Sequence, residues 1–164
     1  MPQFSNKRRV AHTAEQMFDL VADVERYPEF VPLCAALKVR QRNVKPDGTE
    51  TLISDMTVSF KLFKETFTSR VTLDRANRKI LVEYVNGPFS SLENRWSFEP
   101  KGDGKQNENR DCGCEVTFFI AYEFKSRMLA MLVGSMFDTT FARLSAAFEK
   151  RADAIYGKKP AVSS

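Results

Sequence analysis

Residues 126–157 read SRMLAMLVGSMFDTTFARLSAAFEKRADAIYG, and the period of their apolar positions decides the fold. Phe137, Phe141, Leu144, Phe148, Ala152 and Ile155 recur at three- and four-residue steps. At about 100° per residue they share one narrow stripe of a helix. Val133 and Ala130 carry that stripe backwards. Lys150 and Arg151 suit the negative end of the helix dipole, and Gly157 suits a C-cap. The spacing predicts one long helix from Ser126 to about Tyr156, with a Phe-rich face to bury.

The segments before it alternate with period two. Met56, Val58 and Phe60 alternate with Thr57 and Ser59, and Phe63, Phe67, Val71 and Leu73 oppose Lys64, Thr66, Thr68, Arg70 and Thr72. Ile80, Val82 and Tyr84 form another alternating set, as do Leu92, Trp96 and Phe98. Val116, Phe118, Ile120, Tyr122 and Phe124 complete the series. Such repetition is that of an antiparallel sheet with one buried face. Pro46-Asp47-Gly48 and Asn86-Gly87-Pro88 are turn signals within it.

Nearer the start, Gln3 to Val10 reads as a short extended segment. Thr13 and Gln16 make a capping box ahead of Met17, Leu20, Val21 and Val24, which predicts a helix over 14–23 that Tyr27-Pro28 stops. Residues 101–111 hold no apolar side chain and read as a loop. A one-faced sheet must cover its apolar face, and the long helix is the obvious cover. The expected architecture is therefore α+β: a curved antiparallel sheet wrapped round the C-terminal helix, with an apolar cavity between them. One domain spans 1–157, and 158–164 form a frayed tail.

Composition narrows the function. The 164 residues are 43% hydrophobic, enough for one sizeable core. The formal net charge of +4 is mild and does not indicate sequence-specific nucleic-acid binding. With one His, any Ser-His-Asp or Cys-His site has to use His12, which reads as exposed or capping beside Thr13. Three Cys, at 34, 112 and 114, lack the spacing of a metal site or a secreted scaffold, so no metal or resident cofactor is expected. Asp19 and Asp23 share a helix face but read as solvated. No run approaches the roughly 20 apolar residues that cross a bilayer. The chain reads as cytoplasmic, with any membrane contact peripheral.

Three groups of residues stand out. Met128, Met131, Leu132 and Met136 lie off the Phe137 stripe, so the start of the long helix is apolar nearly all round. Either the segment from Tyr27 to Cys34 buries it, or it is an apolar mouth or partner surface, for which Met is well suited. Glu65 and Ser69 fall in alternation with Phe63, Phe67 and Val71, and Asn94 falls between Leu92 and Trp96. Polar groups on a buried face need partners: an edge cation, a backbone turn, or the oxygenated head of an apolar ligand. Finally, Phe60, Phe63, Phe67, Phe89, Trp96, Phe118 and Phe124 supply an aromatic interior. Arg70 and Arg95 alternate with these rings and point away, which disfavours a base-stacking platform.

The run from Phe18 to Cys34, FDLVADVERYPEFVPLC, resembles the opening motif of the coenzyme Q-binding, polyketide cyclase-like branch of the START superfamily. Phe60-Lys61, Glu65 to Val71, and Gly87-Pro88-Phe89 with Leu92, Asn94, Trp96, Phe98 and Pro100 resemble it too, as does Phe148 to Gly157. Leu33 stands where family members often carry Trp, and 101–111 looks like a variable insertion. The resemblance implies a helix-grip fold enclosing a tunnel for apolar ligands. It implies binding of ubiquinone or a related lipid in support of quinone biosynthesis and respiration, without catalysis. A bacterial chain of this kind would work in the cytoplasm beside the inner membrane, a eukaryotic one on the matrix side of the mitochondrion. Other branch members are ribosome-association toxins that block subunit joining, and related enzymes are aromatase/cyclases. The tail is expected among the sheet aromatics and the helix stripe at Phe137, near a mouth formed by Met128, Met131, Leu132 and Met136. The head is expected to meet Glu65 and Asn94.

Overall fold

The computed structural model describes residues 2–60, 63–101 and 113–157. Cys112, the tail 158–164 and all of the 101–111 loop beyond Lys101 lie outside the described residues.

Strand β1 (Gln3–Val10) leads into α1 (Ala14–Ala22). The Thr13 hydroxyl accepts from Gln16 N–H at 3.0 Å, and the Gln16 side chain accepts from Thr13 N–H at 3.0 Å, so the capping box forms. Pro28 does not end a helix as expected. It sits inside a 3-10 helix, Val24–Glu29, that follows directly on α1.

Six strands come next: β2 (Cys34–Val44), β3 (Glu50–Phe60), β4 (Phe63–Asp74), β5 (Lys79–Asn86), β6 (Phe89–Pro100) and β7 (Cys114–Phe124). They and β1 form one antiparallel sheet in the order β1-β7-β6-β5-β4-β3-β2. Both expected turns are present, with Gly48 at φ +93° and Gly87 at φ +146°. At Gly87 the glycine is obligatory, because a Cβ there would lie 2.5 Å from the Cβ of Phe67.

The long helix α2 (Arg127–Tyr156) covers the inner face. Ser126 caps it by accepting from Leu129 N–H at 3.2 Å. Val133, Phe137, Leu144, Phe148 and Ala152 are buried, as the stripe predicts. Ala130 and Ile155 are not: both are exposed, in the first and last turns of the helix. Phe148 anchors the C-terminal half, its ring 5.1 Å from Trp96 and 5.0 Å from Phe30.

His12 is also corrected. It is buried, with Nε2 2.7 Å from Asp153 Oδ1, and so ties the start of α1 to the last turns of α2.

Candidate functional site

Between the sheet and α2 lies a cavity of about 150 Å³. Its walls come from alternating positions of β3 to β7, from the stripe of α2 between Phe137 and Phe148, and from the linker Val31-Pro32-Leu33. No Asp, Glu, His, Lys or Arg is among the described lining residues. The linker is held in a conformation rare for a side chain with a Cβ: Leu33 has φ +67°, and its carbonyl accepts from Ser59 N–H at 3.0 Å.

The polar groups in this apolar space are few. Ser54 on β3 and Ser69 on β4 stand opposite one another in register, both buried, with their Oγ atoms 3.5 Å apart. Asn94 on β6 donates through Nδ2 to Phe119 O at 2.9 Å and accepts through Oδ1 from Trp96 Nε1 at 3.0 Å. One amide hydrogen and one oxygen lone pair of Asn94 remain beyond those bonds. The Tyr27 hydroxyl is turned away, donating to Val21 O, and burial raises its pKa. Burial also pushes the Cys34 thiol up to about 11, so this lining thiol is neutral at ordinary pH. Thr140 of α2 is the remaining polar lining residue. Outside the lining, the Tyr122 hydroxyl, at about 12, is raised first by burial and then by the Asp138 carboxylate it faces at 3.3 Å. A site of this composition encloses an apolar molecule and offers hydroxyl and amide donors to an oxygenated one.

The sequence candidates divide into two sets. Phe67, Phe89, Asn94, Trp96 and Phe137 line the cavity. Phe60, Phe63, Glu65, Met128, Met131, Leu132 and Met136 are not among its lining residues. Glu65 shares the inner face with Ser69, standing opposite the lining residue Val58, but it is exposed, near the start of β4. Met128, Met131 and Leu132 are 71%, 84% and 72% exposed, so the segment from Tyr27 to Cys34 does not bury them. Phe137 stands between the two sets, its ring 6.3 Å from Phe63, 6.2 Å from Phe89 and 5.3 Å from Phe124. Ser54 escaped the sequence reading, although the alternation of Met56 and Val58, extended one step back, reaches it.

The comparisons agree with this architecture. Residues 10–149 match the family described as polyketide cyclase / dehydrase and lipid transport. The chain is 32% identical to the ribosome association toxin RatA of Escherichia coli K12, over 97% of this chain and 92% of that one. It is 30% identical to the mitochondrial coenzyme Q-binding protein COQ10 homolog B of Xenopus laevis, over 96% of this chain and 60% of that one. Among solved structures, the 18 kDa protein CC1736 of Caulobacter crescentus superposes with a TM-score of 0.75 at 32% identity, covering 96% of this chain and 99% of that one.

Proposed function

The chain belongs to the polyketide cyclase / dehydrase and lipid transport family, and from that premise we propose that it is a non-catalytic binder of an isoprenoid quinone or a similar oxygenated lipid. The observation that carries the reading is the cavity itself, lined by aromatic and aliphatic side chains and supplied with only a few neutral polar groups. A quinone ring is flat and apolar, with acceptor oxygens on its rim. The hydroxyl hydrogen that the Ser54–Ser69 contact leaves over and the remaining Asn94 amide hydrogen are donors that suit those oxygens. With no ionisable acid or base in the lining beyond the raised thiol and phenol, holding the ligand is better supported than turning it over.

A volume of about 150 Å³ holds roughly ten to fifteen water-sized spheres. An apolar cavity of about that size takes a benzene-sized ring; a substituted quinone and its tail need it to widen, with Phe137 moving toward the exposed start of α2. Organic extraction of protein purified from its own host, followed by mass spectrometry, tests the proposal. A near-stoichiometric isoprenoid lipid, absent from a control protein, is expected; an empty extract after detergent-free purification refutes it.

The second reading is a ribosome-bound inhibitor of translation, favoured by the full-length similarity to the toxin of Escherichia coli. It predicts salt-dependent association of this chain with ribosomal particles, which sedimentation measures directly.

A further inference from the structure

The antiparallel topology brings the C-terminal ends of β3, β5 and β7 and the N-terminal ends of β4 and β6 to one end of the sheet. The start of α2 leaves β7 there. The large apolar side chains exposed among the described residues gather at this same end: Phe60, Val85, Met128, Met131 and Leu132, with only Val44 and Ile155 elsewhere. Residues 125–136 contain Lys125 and Arg127 and no carboxylate, while the neighbouring strand ends add the exposed Lys64, Glu65 and Glu123. Arg127 occupies the first turn of α2, at the positive end of its dipole, where an acidic residue would be the stabilising choice. Folding therefore gains nothing from a cation there, nor from three solvent-facing Met and Leu side chains. Both features are favourable where an apolar face meets an anionic surface.

We propose that this end of the molecule docks on an anionic lipid bilayer, with Met128, Met131 and Leu132 seated at the acyl boundary and Lys125 and Arg127 at the headgroups. The assignment rests on the lipid-binding reading for its purpose, since a cargo exchanged past Phe137 enters or leaves at this surface. A second copy of the chain is the poorer occupant: a symmetric contact here would bring two Lys125–Arg127 pairs together. A nucleic-acid surface satisfies the cations but not the Met and Leu side chains.

Flotation with phosphatidylcholine vesicles, with and without phosphatidylglycerol, tests the docking. The protein is expected to float with the phosphatidylglycerol vesicles and to be released by salt. Met131→Asp combined with Leu132→Asp should abolish flotation while leaving the thermal melt unchanged, because both side chains are exposed. Lys125→Glu with Arg127→Glu should weaken partition at least about ten-fold. Protein that stays at the bottom with both vesicle types overturns the docking and leaves the patch to a protein partner; so does a double Asp variant that floats like the parent. The cargo is measured separately by extraction. Protein that floats but never carries an extractable lipid supports the docking and refutes only the reading of the cavity.

Discussion

Asn94 serves the fold with two hydrogen bonds and keeps one amide hydrogen and one lone pair beyond them. Its two bonds, to Phe119 O and from Trp96 Nε1, satisfy a strand carbonyl and a buried indole. Asn94→Ala should leave the Trp96 N–H unpaired and cost about 1–3 kcal/mol, read as a lower urea midpoint. Ser69→Ala should behave oppositely. Its contact with Ser54 at 3.5 Å is long, so stability should change by less than about 1 kcal/mol while affinity for a quinone falls several-fold. Cys34 offers a test of closure. Its folded-state pKa of about 11 lies above the ordinary 9.0, so its contribution to stability is complete below pH 9 and is lost as pH rises toward 11. In the native protein at pH 8, alkylation of Cys34 should be about 100-fold slower than in urea, and slower still with cargo bound. Rapid native labelling, followed by mass spectrometry of the Cys34 peptide, would show that the cavity stands open. Asn94 was visible in the sequence because period two placed it between Leu92 and Trp96. His12 was not, because its partner Asp153 lies 141 residues away and no local spacing encodes that contact.

At the scale of elements, α2 carries one residue its packing does not require. A Cβ on Gly134 would meet nothing within 4 Å, so close approach does not explain the glycine. Gly134→Ala should therefore stabilise the helix by about 1 kcal/mol and raise the melting temperature by about 2–4 °C. If the turns before Gly134 must loosen to pass a tail by Phe137, the same variant should also slow transfer of quinone into vesicles. An unchanged transfer rate in the more stable protein would separate the glycine from function. Most elements were legible because each bears a clean period: 3.6 in α2, two in β4 to β7. Strand β2 was missed for a physical reason. It is an edge strand, mostly exposed, and register shifts between Cys34 and Ala36 and between Val39 and Gln41 break its alternation. The exposure of Glu65 on the inner face has a related origin, since period two assigns a face but does not say where the covering helix stops.

For the whole molecule, the ligand-binding and ribosome readings demand different surfaces and different thermodynamics. A net charge of +4 is small for binding a polyanion, and several cations are already engaged. Arg8, in the basic run of β1, pairs with Glu149 at 2.7 Å, Arg42 pairs with Glu50 at 2.6 Å, and Arg151 pairs with Glu29 at 2.6 Å. Exposed pairs of this kind add little stability, but they cap the number of counterions that docking on RNA could release. The cosedimentation of this chain with ribosomes should accordingly be weak and nearly flat in salt. The cavity makes the opposite demand, because a ligand bound only by the folded state stabilises it by mass action. At a free concentration one hundred times its dissociation constant, a quinone should add about 2.7 kcal/mol, or roughly 5–10 °C of melting temperature, to protein stripped of lipid. Phe137→Ala would remove a buried ring from the cavity wall and so should lower the unliganded melt while shrinking that increment. A steep salt slope on ribosomes together with no ligand-induced shift would reverse the assignment, because occupancy of the cavity is linked to global stability and a rim of paired charges is not.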